Sequence, residues 1–447
     1  MADILPFQGI RYDADRIGGD LAAVMAPPYD VISPDGQEAL YGQHPQNVVR
    51  LILGKEPNRY SDAAETYTHW SSLGIVKPDA KPALYVYRQS FADPVTGAAA
   101  PDRIGIICLL KLEDYSTGKV LPHENTLTAA KSDRLNLLRA TNAQFESIYG
   151  LYSDPSGVVA SALESAGGVE IVIDLIDGPI GSSHQIERIT DPAAIAAIVH
   201  ALQDQPIFIA DGHHRYETSL NYRREIREGI DAPDGSIAAD YILITLTAFE
   251  DPGLLVLPTH RVVRNVSDER LSALSEHLSK HFSIEPISGT PELEKTLLDA
   301  EASGHKAIGL IDAGGVIKIL RLRRTNEEIP DIIPGDQSDS AKRLDVTVLQ
   351  RLILEDGLGI DASTLAAGTH VSYTRSIEEA KASIVQGQAQ MAFILARPTV
   401  VEVRDVSLAG DKMPQKSTFF YPKLLSGLVM RDLRIDNIEE LQEIAQG

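Results

Sequence analysis

The chain reads as a mixed α/β protein. Short runs rich in β-formers alternate with longer stretches that read as helices, and turn residues mark the boundaries between them. A hydrophobic content of 43% against 23% charged residues predicts a packed chain, and no low-complexity tract or internal repeat interrupts it. Its 447 residues exceed what one ordinary core organises, so about two or three domains are expected.

Taken in order, Ala26–Ser33 (APPYDVIS) is an extended piece followed by a turn, because a residue preceding proline is pushed away from helix. Ala83–Ser90 and Arg103–Leu112 are rich in β-formers and predict strands. A turn at Tyr115–Lys119 leads into Val120–Thr126, and Ala129–Ala140 predicts a helix with Leu135, Leu137 and Leu138 among charges. Val169–Leu175 predicts a strand. Asp191–Leu202 predicts a helix with Asp191 as N-cap and Pro192 at its first position. Ile207–Ala210 is a short buried strand, and His214–Arg227 a helix with Leu220, Tyr222 and Ile226 partly on one face. Tyr241–Phe249 and Leu254–Val263 predict strands. From Ser267 follow two amphipathic helices, a strand pair (Ala307–Ile311 and Val316–Leu320), the polar stretch Arg324–Ser340 and a helix at Asp345–Glu355. Gln390–Ala396 and Val400–Val406 predict strands before the closing MPQKSTFFYPK. Soft boundaries near residues 115 and 265 divide the chain into segments 1–115, 116–265 and 266–447.

The formal charge of -22 argues against a dominant nucleic-acid role, since duplex binding draws on cations placed against phosphates. It suits small-molecule partners. The lone cysteine, Cys108, lies in an apolar run and excludes both an internal disulfide and a cysteine-rich zinc site. The opening residues lack a signal-peptide pattern, and no stretch approaches ~20 apolar residues, so a cytoplasmic protein without a membrane span is expected.

Chemistry concentrates at Asp211–Tyr216 (DGHHRY), a turn between a buried strand and a helix. Gly212 permits positive φ, which lets main-chain N–H groups face an anion, and the helix that begins there favours negative charge at its N-terminus. Arg215 supplies a forked cation matched to phosphate, and His213 and His214 add donors that titrate near neutrality. Asp211 is suited to hold a metal or take a proton. The plain alternative is a capped, solvated first turn. Phosphoryl transfer, which depends on positioning and charge stabilisation, fits the set better.

Other groups support it. Glu124, in His123-Glu124-Asn125-Thr126, is a candidate general base or else the partner of a neighbouring cation. Lys131 and Arg134 are a solvated helix face or phosphate clamps. Thr259-His260-Arg261 ends an apolar strand and offers a histidine and an arginine to a pocket, or an edge-strand ion pair. Lys416-Ser417-Thr418 resembles the end of a Walker A loop, but the glycines that motif needs are missing. With Tyr421 and Lys423 after it, its lysine and hydroxyls suit a phosphate or a substrate carboxylate, or simply a hairpin covered by Phe419 and Phe420. Tyr29 is suited to stack or hydrogen-bond and Asp30 to hold an amino group or Mg²⁺, with Asn47 and Arg50 nearby in sequence.

Gly212-His213-His214-Arg215-Tyr216 resembles the glycine–cysteine–histidine–arginine–tyrosine turn of sulfiredoxin, which binds ATP phosphates. It is similar more broadly to the ParB/sulfiredoxin superfamily, which includes CTP-binding partition proteins and free-serine kinases. Residues 188–210 agree with that core in the order of helix and strand, while His213 stands in place of the reactive cysteine and tells against sulfinic-acid reduction. The whole chain is identified as a member of domain-of-unknown-function family 1015 by APPYDVIS (26–33), HENT (123–126), ADGHHRYET (210–218), LPTHR (257–261) and MPQKSTFFYPK (413–423).

These resemblances imply a ParB/sulfiredoxin-like nucleotide-binding core in segment 116–265, with additional N- and C-terminal α/β segments. Because genes of the family often lie beside those of serine biosynthesis, they also imply a nucleotide-dependent kinase whose favoured acceptor is free L-serine. In that scheme Gly212, Arg215 and Tyr216, with His260, Arg261, Lys416, Ser417 and Thr418, hold the phosphates of ATP or ADP, and Mg²⁺ bridges them. His213 or His214 stabilises the transferring group, and Glu124 or Asp211 takes the hydroxyl proton. Tyr29, Asp30, His123, Asn125 and Thr126 contact the substrate. A phosphoserine phosphatase would use the same residues. A nucleotide-binding regulator without small-molecule catalysis would predict a basic helix-turn-helix, which the sequence lacks. Substrate, donor, direction and oligomeric state stay open.

Overall fold

The computed structural model describes residues 3–126, 128–178, 181–203 and 205–447, and its architecture is mixed α/β. Packing divides the chain into two units. The first gathers Met1–Pro122, Thr126–Leu255 and Pro422–Gly447, and the second gathers His123–Asn125 and Val256–Tyr421.

The first unit is organised by a mixed sheet. Its strands are β1 (Ile4–Leu5), β2 (Leu84–Ser90), β3 (Arg103–Lys111), β4 (Val120–Leu121), β5 (Ile148–Tyr152), β6 (Val169–Gly178), β7 (Ser182–Ile189), β8 (Ile207–Asp211) and β9 (Tyr241–Ala248). They lie in the order β4-β8-β5-β9-β3-β2-β7-β6, with β1 added beside β3. The pairs β4–β8 and β5–β9 are parallel and the remaining ladders antiparallel. Helix α1 (Thr128–Thr141) packs with α3 (His213–Arg227), and α2 (Pro192–Leu202) packs on the apolar sheet face.

The expected caps and core positions explain these elements. Asp191 accepts a hydrogen bond from the Ala194 N–H and Pro192 opens α2, which buries Ile195, Ile198 and Leu202 against Ile106, Cys108 and Ile244. Cys108 is wholly buried, and burial pushes its thiol pKa up, so it is a packing residue. Strand β5, an interior strand between β8 and β9, has no counterpart in the sequence reading. Its middle residue, Gly150, resembles a turn signal, yet a Cβ there would come within 2.8 Å of Ile244 and 2.9 Å of Leu246. The glycine marks close packing between strands instead.

In the second unit, β10 (His260–Val263), β11 (Phe282–Pro286), β12 (Ala307–Ile311), β13 (Ile317–Leu322), β14 (Val371–Thr374) and β15 (Met391–Ile394) form a sheet in the order β11-β13-β12-β15-β10-β14. Its ladders are antiparallel. The two expected amphipathic helices are α4 (Asp268–His281) and α5 (Thr290–Ala302), and α6 (Ile377–Val385) follows. The apolar run Leu254–Val263 is two strands, Leu255–Leu257 and β10, parted at Pro258, which has no N–H for a ladder. Asp345–Glu355 starts as an α-turn and widens to a π-helix over Leu349–Glu355.

One expectation is overturned. Val400–Val406 is no strand but part of α7 (Val400–Leu408). Thr399 caps the Glu402 N–H while the Glu402 carboxylate reaches back to the Thr399 N–H, a reciprocal capping box that outweighs the β-branched run. Among the described residues no helix is long and apolar enough to cross a membrane.

Candidate functional site

The DGHHRY turn sits where β8 meets α3. A register irregularity between Ile209 and Asp211 on β8 re-aims the strand just before the turn, a common device beside functional sites. Gly212 then takes the left-handed conformation, φ 89°, and forms the N-cap of α3. A Cβ at this position would meet Ile148 at 2.9 Å and the Arg215 guanidinium at 3.0 Å, so glycine is required twice over. Glycine has no side chain to cap with, and the first-turn N–H groups of α3 keep their positive field.

Arg215 folds back under the turn. Its Nη1 donates to the Ser147 carbonyl at 2.8 Å, Nη2 stands 3.8 Å from Asp211, and the side chain is only 12% exposed. Burial works against its charge, but Glu146, Asp211, Asp30 and Tyr29 more than offset that and raise its pKa. Asp211 in turn lies 3.3 Å from Lys423. Burial alone would raise the carboxyl, yet Lys423 and Arg215, with His213 behind them, bring it down to about 2. His213 is buried and His214 half-buried on the same turn. Tyr216 is fully buried. Its hydroxyl donates to the Glu113 carbonyl at 2.8 Å and accepts from the Glu113 N–H at 3.0 Å, while its ring stacks on Tyr115 at 5.5 Å. It anchors α3 to the segment that follows β3.

The APPYD segment comes to the same neighbourhood through a residue that no sequence motif marks. Glu146 Oε1 accepts from the Tyr29 N–H at 3.1 Å and from the Ser426 hydroxyl at 2.9 Å. The Arg134 guanidinium lies 3.9 Å over the Tyr29 ring, and burial, opposed by Arg134 and Arg215, pushes the Tyr29 hydroxyl up to about 12. Asp30 is exposed, and Asn47 is buried as a strap on the Ala23 and Met25 carbonyls. Arg134 is buried and paired with Asp133, whereas Lys131 and the Thr126 hydroxyl both meet Glu217, at 2.8 and 2.6 Å. A cavity of about 60 Å³ lies beneath Arg215, walled by Arg134, Glu146, Ser219, Leu138 and Ile148.

The remaining candidates belong to the second unit, where they form their own constellation. His123 Nε2 is 3.0 Å from the Thr418 hydroxyl, and its carbonyl accepts from the Met413 N–H at 2.8 Å. Glu124 accepts from the Lys416 N–H at 3.3 Å, and Lys416 holds a left-handed φ of 57°. Arg261, 3% exposed, donates to the carbonyls of Thr259, Gln415 and Lys416, and burial lowers its pKa to about 10. Burial and Arg261 lower His260 to about 4, and its Nδ1 accepts from the Leu395 N–H at 3.3 Å. The Ser417 hydroxyl donates to the Pro414 carbonyl, and Asn125 is exposed. Thus HEN, THR and MPQKST are one structural group and APPYD and DGHHRY another. Among the described residues, no set of three or more His, Cys, Asp or Glu side chains is arranged to hold a metal ion.

No functionally curated protein matches the chain in sequence. Among solved structures, a conserved hypothetical protein from Pyrococcus furiosus is 15% identical with a TM-score of 0.33, covering 72% of this chain and 94% of that one. A free serine kinase in complex with AMP is 13% identical with a TM-score of 0.35, over 72% of this chain and 90% of that one. SbnI with a C-terminal truncation, from Staphylococcus aureus, is 12% identical with a TM-score of 0.36, over 76% and 94%. These likenesses are distant. The model of the family described as protein of unknown function (DUF1015) matches residues 4–347, and the chain belongs to that family.

Proposed function

We propose that the first unit binds a nucleotide by its phosphates and transfers a phosphoryl group to the hydroxyl of a small metabolite, with free L-serine the favoured acceptor and ATP or ADP the favoured donor. The observation that carries this reading is the left-handed Gly212 turn, which sets the N-terminus of α3 beside two cations, Arg215 and Lys423. Both cations flank Asp211, which sets them side by side on a chain whose net charge is -22.

In this scheme the main chain at Gly212, with Arg215 and Lys423, receives the donor phosphates, and the His213 and His214 side chains on the same turn face the transferring group. The acceptor oxygen attacks the terminal phosphorus while the bond to the nucleotide's bridging oxygen breaks, the shortened nucleotide leaves, and the hydroxyl proton passes by way of a phosphoryl oxygen to water. Little covalent work falls to the protein in such a loose transition state, and positioning decides the rate. Asp211, held near 2, is a permanent anion and a poor proton acceptor, so its proposed task is to hold the cations in place. Mg²⁺ usually binds phosphates with one or two carboxylates, and the exposed Asp30 is the side chain that would supply one. In the second unit the MPQKST turn, fixed by Arg261 and Glu124, is a second candidate element for an anion.

The test is a mass-spectrometric screen for phosphate transfer from ATP, ADP, CTP or pyrophosphate to amino acids and polyols. Activity is expected with one of these pairs, and Arg215→Ala should lower kcat/KM by about a hundredfold or more, the scale of losing one preorganised charge-stabilising donor. Full turnover by the alanine variant would remove the turn from the site.

A further inference from the structure

Resting on that reading, we propose that the cavity beneath Arg215 receives an ammonium group of the acceptor and that Glu146 is the residue that recognises it, so the acceptor is an amino acid or amino alcohol rather than a simple polyol. The cavity offers about 60 Å³, room for about four to six waters and so for the head of a small metabolite. Its wall is largely apolar, with Ile52, Leu137 and Phe145 among the lining residues, so the few charges in it act strongly. Glu146 is the one carboxylate among them.

Both hydrogen bonds that Glu146 accepts, from the Tyr29 N–H and the Ser426 hydroxyl, fall on Oε1. Among the described residues Oε2 has no hydrogen-bond partner, although the side chain lines the cavity. An anionic oxygen with an open acceptor position in a mostly apolar hollow is what an ammonium group pairs with. Arg215 lines the same cavity, so a zwitterion finds both signs of charge there. A polyol would offer the open oxygen a neutral hydroxyl in place of a charge-assisted donor.

Glu146→Gln separates recognition from architecture, because the amide oxygen still accepts from Tyr29 and Ser426 while the charge is gone. Calorimetric titration of wild type and E146Q with L-serine, and with glycerate as its amine-free counterpart, provides the measurement. Wild type is expected to bind serine more tightly than glycerate. E146Q should weaken serine binding by about ten- to a hundredfold and leave glycerate unchanged. Equal affinity of wild type for both probes, equal weakening of both by E146Q, or no binding of serine at all would overturn the assignment. Thermal melts of E146Q confirm that the fold is kept. Binding is read apart from transfer, so serine that binds but is never phosphorylated would remove the kinase reading and leave this one standing.

Discussion

Asp211 shows how one residue can be legible in type and illegible in use. The sequence places a carboxylate beside Gly212 and Arg215, which suggests a metal ligand or a base. The fold adds Lys423, more than two hundred positions later in the chain, at 3.3 Å, and the resulting pKa of about 2 favours a fixed anion. A folded pKa below the usual 3.8 stabilises the native state fully above that value, and the gain is lost as pH falls from about 4 towards 2. Asp211→Asn is therefore expected to lower stability by on the order of 2 kcal/mol at pH 7 and by progressively less as pH falls towards 2. Urea denaturation of both proteins across that range checks it, and a pH-independent difference would contradict the ion pair. Glu146 had no signal at all, since Phe145-Glu146-Ser147 is an unremarkable tripeptide until Tyr29 and Ser426 converge on it.

Elements with strong local signatures were readable from sequence, and those whose competing signals were close in strength were not. Helix α2 carries its own cap and first-turn proline, and it forms where expected. In α7, by contrast, three valines within four positions speak for a strand, while a single threonine and a single glutamate placed three apart speak for a helix. The cap prevails because it satisfies two backbone donors that a strand at this place would have to pair elsewhere. Thr399→Ala should cost about 1 kcal/mol of stability, read as a lower denaturation midpoint, and no change would mean that packing alone holds α7. β5 failed for a different reason: its glycine is dictated by neighbours on β8 and β9, and no local pattern reports them.

For the molecule as a whole, mixed α/β character follows from the alternation of periods along the chain, but the interleaving of the two units does not. The HEN tripeptide belongs to the second unit although the residues on either side of it belong to the first. Likewise Pro422–Gly447 rejoins the first unit after the whole of Val256–Tyr421. Its Arg431 is fully buried, donating to the Tyr241 carbonyl at 2.5 Å and the Ala238 carbonyl at 2.7 Å, and the helix Ile438–Gln446 packs against α2. A protein ending at Tyr421 loses these together with the buried Ile438 and Leu441, each worth about 1.5–3 kcal/mol. Such losses rival the stability of a typical domain, so it should show no cooperative melt for the first unit by circular dichroism. An intact transition would mean the closing segment is dispensable.

The position of Lys423 bears on how relatives should be compared. The portion matched by the family model is residues 4–347, whereas the cation that fixes Asp211 lies 76 residues past it, at the end of the MPQKSTFFYPK stretch. A catalogue built only on the shared portion would record the acid and overlook its counterweight. Two homologues with identical DGHHRY stretches would then be scored alike even if one lacked the lysine and its Asp211 kept only Arg215 as a counter-charge. Reading the MPQKSTFFYPK stretch together with DGHHRY is thus the way to sort members that keep this charge pair from those that lack it.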